Sequence, residues 1–412
     1  MRPSLPTTSP AEAARRAGRI DLAQALRETR ARSLALFAAY ESALAATGFA
    51  VPLSPELNPP LWELGHIAWF QEWWLARNGE RGRGVACDPD IPRPSSRLAG
   101  ADALYHSGQV PHDSRWQLPL PGAAATRAYL QAVQEQTLAL LAESAEDDAS
   151  LYFLRLALFH EDMHAEAAVY MAQALGLALP GEAAFPGRSL GDAMGTGVLR
   201  LPAQAWTLGS APGQGFAFDN EHGTQPVELA AFEIDAAPVD WARYLPFVEA
   251  GGYADARWWS PEGWQWLQQS GLTAPRYLRR EGGSWQRQVF GRWQPLAPAD
   301  PACHLSWHEA QAWCRWAGRR LPSEAEWECA AVTQPGLAWG RVWEWTASPF
   351  EAFPGFTPHP YRDYSAPWFG TRPVLRGASR ATAPRMAHPK YRNFFTPERN
   401  DIFAGFRSCA PG

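Results

Sequence analysis

His160-Glu-Asp-Met-His164 sets two imidazoles four residues apart with a carboxylate between them. On a helix, side chains at i and i+4 stand one above the other on one face, so both rings can reach a single metal ion. The best-known chemistry of this H-E-x-x-H spacing is zinc peptidolysis, in which the histidines hold the ion and the glutamate activates water. The plain alternative is a pair of ordinary helix histidines. A third imidazole, His66, follows Asn58-Pro-Pro-Leu-Trp-Glu-Leu-Gly and precedes Ile-Ala-Trp-Phe. In such apolar company it needs a polar partner, and packing that set it opposite His160 and His164 would complete a three-nitrogen ligand set with open positions. The remaining histidines (His106, His112, His222, His304, His308, His359, His388) lack metal-ligand spacing on any predicted helix and are read as surface or core.

Rings from two places in the chain need rigid elements to bring them together. Leu22 to Ala46 carries apolar residues at spacings of three and four with no Pro or Gly, as an amphipathic helix requires. A second helix is predicted from about Leu61 to Arg77, opened by Pro59-Pro60, a third from Ala123 to Ala145, and a fourth from Ala149 to Leu175 behind the acidic pair Asp147-Asp148. Four such helices suggest an up-and-down bundle, whose interior commonly houses metal sites. The Pro-, Gly-, Ser- and Asp-rich connection from Asn78 to Gly122 is too long for a turn, and loops of that length are often functional.

Past residue 180 the pattern changes. Residues 181–200 are rich in Gly and Pro and read as a linker, after which short apolar stretches are punctuated by Gly, Pro, Asn and Asp. Short helices are expected at Trp241 to Ala250 and at Ser306 to Ala317, the latter with a Ser306/Glu309 capping box, and another begins at Ser323-Glu324. Of the 21 tryptophans, only five precede residue 200. The fold class is therefore two-domain α+β: a helical bundle over residues 1–180, the linker, and an aromatic-rich α+β domain over residues 201–412.

The 37 basic and 42 acidic side chains leave a net charge of −5, without the basic footprint of a nucleic-acid or anionic-membrane binder. No apolar run is long enough to span a bilayer, and the N-terminus has no apolar segment resembling a secretory signal, so a cytoplasmic location is expected. Five cysteines without a close pair argue against a disulfide scaffold or thiolate zinc site.

The stretches LWELGHIAWFQEWW and HEDMHAEA resemble the DinB-like metal-binding bundle of the ergothioneine-type sulfoxide synthases. GFAFDNE, RRLPSEAEWECAA, VWEWTASPFEAFPGF, VLRGASRAT and YRNFFTPERNDIFAGFR resemble the formylglycine-generating-enzyme-like (C-type-lectin-like) domain that follows it in that family. The resemblance covers nearly the whole chain. It implies Fe(II) held by His66, His160 and His164, O2 as oxidant, and a bond from sulfur, or selenium in the selenoneine synthases, to the imidazole C2 of hercynine. It also implies that a second-domain tyrosine passes a proton or hydrogen to the reacting oxygen. Tyr361-Arg-Asp-Tyr364 matches that segment, with Tyr361 the donor and Tyr364 lining the pocket. Asn393 and Phe394 match positions that hold hercynine's carboxylate and trimethylammonium group.

Three departures bear on the donor. Phe395 stands where members using γ-glutamylcysteine have an aspartate for the donor's amine. The loop segment Asp102 to Trp116 lacks their R-G-x-L-S-R-P-like pattern, and Met163 replaces the glutamine of H-E-x-Q-H. These changes point to the selenoneine synthase branch and a selenosugar donor, held by loop residues such as Tyr105, His106, His112, Asp113 and Arg115. The alternatives are an ergothioneine sulfoxide synthase taking cysteine or another thiol, and a DinB-type zinc thiol transferase. A zinc protease gives the second domain no purpose. A formylglycine-generating enzyme would need a cysteine pair near the C-terminus, where only Cys409 stands. A binding module without catalysis is the remaining class.

Overall fold

Cap chemistry and apolar spacing set the helices of the first unit. A computed structural model describes residues 9–186, 195 and 197–411. Its first unit runs through Ala184 and takes in two later segments, Gly213–Ala217 and Pro358–Tyr364. In chain order it contains α1 (Pro10–Arg15), α2 (Arg19–Leu44), α3 (Pro60–Trp74), α4 (Ala101–Tyr105), α5 (Ala123–Glu143), α6 (Asp148–Leu175) and α7 (Gly181–Ala184). The four long helices are those the spacing predicts, with no end shifted by more than three residues. Pro60 sits in the first turn of α3, where its missing N–H is no loss. At the start of α6 the Asp147 side chain accepts from the Ser150 amide, and at its end Gly176 adopts the left-handed conformation of a C-cap.

Helix α3 is buried on nearly every side, which marks it as an interior element rather than a surface one. It packs against α5 and α6, while α2 lies along α6. One buried polar cluster fixes the α2–α6 register. Arg30 makes a two-pronged ion pair with Glu161 (2.8 and 3.0 Å) and also reaches Gln71 and the Leu130 carbonyl. Thr29 donates to Asp162 at 2.8 Å.

The two later segments are held by aromatic contacts. Phe216 packs on Tyr152 and Phe159, and the Tyr152 hydroxyl meets His359 Nδ1 at 2.9 Å. The sequence reading assigned Tyr361 and Tyr364 to the second domain, whereas the structure groups Pro358–Tyr364 with the bundle, because Tyr361 packs on Phe70 and Trp74 of α3. Within the 181–200 linker, residues 187–194 and 196 lie outside the described residues.

The second unit comprises most of the rest of the chain from Phe185 onward. Its helices are α8 (Trp241–Glu249), α9 (Pro261–Ser270), α10 (Trp307–Trp316) and α11 (Glu324–Thr333). Both Ser306/Glu309 and Ser323/Glu326 form reciprocal capping boxes. Its strands are β1 (Val198–Leu201), β2 (Gln204–Leu208), β3 (Gln225–Leu229), β4 (Phe232–Asp235), β5 (Leu278–Glu281), β6 (Ser284–Val289), β7 (Arg292–Pro295), β8 (Trp343–Pro349), β9 (Pro373–Gly377), β10 (Asn393–Phe394) and β11 (Ala404–Gly405). They form four small sheets: β1–β4, β2–β3, β5–β6–β7, and the central β10–β9–β8–β11. Leu201, Phe232, Ile234, Cys329, Leu337 and Phe353 form a core cluster there. Beside it lie ion pairs with almost no exposure, Glu344–Arg407, Glu328–Arg376 and Glu324–Arg392. All five cysteines are free thiols. Among the described residues, no helix is long and apolar enough to cross a membrane.

Candidate metal centre

Three imidazoles meet inside the bundle. His66 of α3 and His160 and His164 of α6 each bring one ring nitrogen to within 4.8 Å of the others. Their orientation is imposed from behind. His66 Nδ1 lies 2.8 Å from the Tyr105 carbonyl, and His164 Nδ1 lies 2.6 Å from Glu63 Oε2. A carbonyl or carboxylate oxygen can only accept, so both Nδ1 atoms carry the proton and both Nε2 lone pairs are left for an ion. His160 is positioned by packing, its ring stacked on Phe70 with centroids 3.5 Å apart and planes 3° from parallel.

The same surroundings keep His66 and His160 neutral. Burial, with His164 nearby, pushes His66 down to about 3, and burial beside the other two imidazoles lowers His160 as well. Burial alone would raise the Glu63 carboxyl, but its attraction to and hydrogen bond with His164 leave it below its ordinary value. Glu63 also accepts from Asn58 Nδ2, and Asn58 in turn accepts from Arg115. The Arg115 guanidinium lies over Trp62, which stacks on His66. Three preoriented imidazole nitrogens with a carboxylate behind one of them suit a divalent first-row transition ion.

Glu161 has a different place. Its carboxylate is buried and held by both prongs of Arg30, so it cannot serve as the water-activating base of a zinc protease. Structure therefore removes that reading at the residue on which it depended.

Met163 and the tyrosines do come together. The Tyr364 hydroxyl lies 3.8 Å from Met163 Sδ, and the Tyr361 ring is 4.9 Å from Phe70 and 6.3 Å from His160. Asn393, Phe394 and Phe395 belong to the second unit. The Asn393 side chain accepts from the Phe394 amide, Phe394 stacks on Phe350 at 4.1 Å, and Arg399 covers Phe395. The loop residues divide as well: Tyr105 supports His66 through its backbone, and His112 bonds the Leu57 carbonyl. Sequence reasoning missed Glu63, Phe70 and the Tyr105 carbonyl. Glu63 was detectable, since a carboxylate three residues before His66 shares its helix face.

A bundle with a three-histidine centre joined to an irregular α+β unit defines the class, and comparison with known families agrees. Residues 25–172 match the DinB superfamily, and residues 192–339 and 336–410 match the sulfatase-modifying factor enzyme 1-like domain. Among the relatives that span both parts are the hercynine oxygenase of Mycolicibacterium smegmatis, 33% identical over 86% of this chain and 91% of its own length, and that of Mycobacterium tuberculosis, with the same identity and coverage. The formylglycine-generating enzyme of Streptomyces coelicolor is 37% identical over 40% of this chain and 55% of its own length. The chain belongs to the hercynine oxygenase family.

Proposed function

We propose that this protein is a hercynine oxygenase, joining a sulfur donor to the imidazole C2 of hercynine with O2 as oxidant and yielding the sulfoxide. The convergence of His66, His160 and His164 carries this reading, in a chain related over nearly its full length to hercynine oxygenases. His66, His160 and His164 would hold Fe(II), which when bound supplies the redox chemistry of O2 and leaves positions at which substrates can be gathered. Glu63 and the Tyr105 carbonyl accept from Nδ1 of His164 and His66 and keep the ligand nitrogens aimed. Tyr361, packed on Phe70 beside His160, holds a phenolic proton where it can be passed to the reacting oxygen, while Tyr364 and Met163 line the pocket. Asn393, Phe394 and Phe395 are assigned to substrate, with Asn393 for hercynine's carboxylate and Phe394 for its quaternary ammonium.

A second reading concerns the donor alone. Phe395 offers no charge to a donor amine, and its ring is occupied by Arg399. This favours a donor without the amine of cysteine or γ-glutamylcysteine, such as a selenosugar, with selenoneine as the product. The deciding experiment supplies Fe(II)-loaded protein with hercynine in air and with cysteine, γ-glutamylcysteine or a selenosugar, and follows products by mass spectrometry. Hercynine consumed with one of them, and only with O2, is the expected result. No consumption with any donor, or O2-independent activity of the zinc form, would overturn the proposal.

A further inference from the structure

Helices α2, α3 and α6 do not close completely on one another. Between them lies a cavity of about 30 Å³, walled by Leu36 and Phe37 of α2, Leu64 and Ile67 of α3, and Ala168 and Met171 of α6. The gap follows from side-chain size. Ala165 and Ala168 both stand in the lining, on a stretch of α6 where larger residues would have filled the space. His164 stands in it too, one helical turn before Ala168 and on the same face, so the cavity borders one of the three metal ligands.

The polar groups at its edge are engaged elsewhere. Tyr40 turns its hydroxyl to the Ala168 carbonyl at 2.5 Å, and the two Glu63 oxygens are taken by Asn58 and His164. The Ser33 hydroxyl is covered, with almost no accessible surface to offer a guest. Carbon dominates the rest of the wall. A buried water is held by about three hydrogen bonds, more than such a wall supplies. The room nevertheless exceeds the ~10–15 Å³ that a single water requires, and apolar cavities of this kind stay dry and take up apolar guests such as xenon.

We propose that this cavity is a dioxygen-binding site, in which O2 is held against His164 before it reacts. O2 is the one apolar small molecule that a hercynine oxygenase reaction consumes, so the role rests on that reading, whereas the affinity for an apolar gas rests on the walls alone. Leu36, buried on a helix that supplies no metal ligand, becomes a residue that sets O2 affinity.

The test uses xenon as the probe. Crystals of the Fe(II)-loaded full-length protein, pressurised with xenon under nitrogen, should show a xenon atom enclosed by Leu36, Leu64, Ala168 and Met171. Leu36→Phe fills the space. Xenon is then lost, and the KM for O2 rises about 3- to 10-fold while kcat at saturating O2, the KM for hercynine and iron content stay unchanged, the pattern of lost ground-state binding. A distorted ligand set would instead lower iron content or kcat. Leu36→Ala works in the opposite sense: it enlarges the cavity, so xenon occupancy increases and the KM for O2 does not rise, which keeps the test decisive should the larger side chain fail to fold. No xenon in the wild type, or xenon lost from Leu36→Phe with an unchanged KM for O2, overturns the proposal. Xenon held there and displaced by Leu36→Phe, in a protein that consumes no hercynine with any donor, would leave the gas site standing and sink the functional reading.

Discussion

An imidazole that binds a divalent ion must aim a lone pair at it, and at His164 that aim depends on Glu63, which accepts from Nδ1 and leaves Nε2 facing the ion. Glu63→Gln keeps an oxygen acceptor but removes the charge. Its expected effect is a 10- to 100-fold loss of Fe(II) affinity, measured by competition with a chromogenic chelator. Unchanged affinity would mean that the 2.6 Å contact does not tune the ligand. The proton-donor role of Tyr361 is tested by Tyr361→Phe, which keeps the ring on Phe70. Turnover should fall about 10²-fold or more while hercynine affinity and metal content hold, the pattern of a lost proton transfer. Tyr364→Phe should do less, since that hydroxyl faces Met163. At this scale the sequence exposed the ligands because H-E-x-x-H is a local spacing. It concealed their supports: the Tyr105 carbonyl comes from the end of the short helix α4, 39 residues away from His66, and no pattern in side-chain types marks a backbone oxygen.

Elements explain how such distant groups are held. Gly65 lies inside helix α3, where glycine is unfavourable by roughly 0.5–1 kcal/mol relative to alanine. A Cβ there would stand 2.2 Å from Cζ of Tyr105, so the vacancy admits the ring whose backbone orients His66. Gly65→Ala should therefore destabilise by about 1–3 kcal/mol despite its better helix propensity, and it should weaken metal binding through the displaced carbonyl. Urea unfolding and chelator competition report the two effects, and a stabilised variant with intact affinity would refute the link. Arg30 plays the corresponding part between α2 and α6. Arg30→Met leaves Glu161 charged, buried and unpaired, at a cost of about 3–5 kcal/mol, whereas Glu161→Gln should fold and turn over once loaded with iron. A protease-like loss of chemistry in folded Glu161→Gln would contradict that role. Helix positions were legible in advance because capping residues and apolar spacing are local. The small sheets were not, since strands as short as Asn393–Phe394 and Ala404–Gly405 exist only through long-range pairing with β9 and β8. The grouping of Pro358–Tyr364 with the bundle is a tertiary choice too, made by Phe70 and Trp74 rather than by anything in the segment's own composition.

For the whole molecule, uneven composition supplies a way to see which part the metal stabilises. The described elements of the first unit are all helical, while that unit holds Trp62, Trp69, Trp73, Trp74 and Trp116, five of the 21 tryptophans. Far-UV ellipticity thus weights the bundle, and tryptophan fluorescence weights the second unit. A ligand that binds only the folded state stabilises by RT ln(1 + [L]/Kd), about 2.7 kcal/mol at a hundredfold excess over Kd. Because His66 lies on α3 and His160 and His164 on α6, the ion cross-links two helices of one unit and none of the other. Each unit has its own buried core, so unfolding is not required to be a single step. Anaerobic addition of Fe(II) should raise the midpoint of the ellipticity transition by several degrees and move the fluorescence transition less. His164→Ala should remove the shift altogether. Equal shifts in both signals would show that the two units unfold as one, and a shift that survives His164→Ala would place the stabilising ion somewhere other than the three-histidine centre.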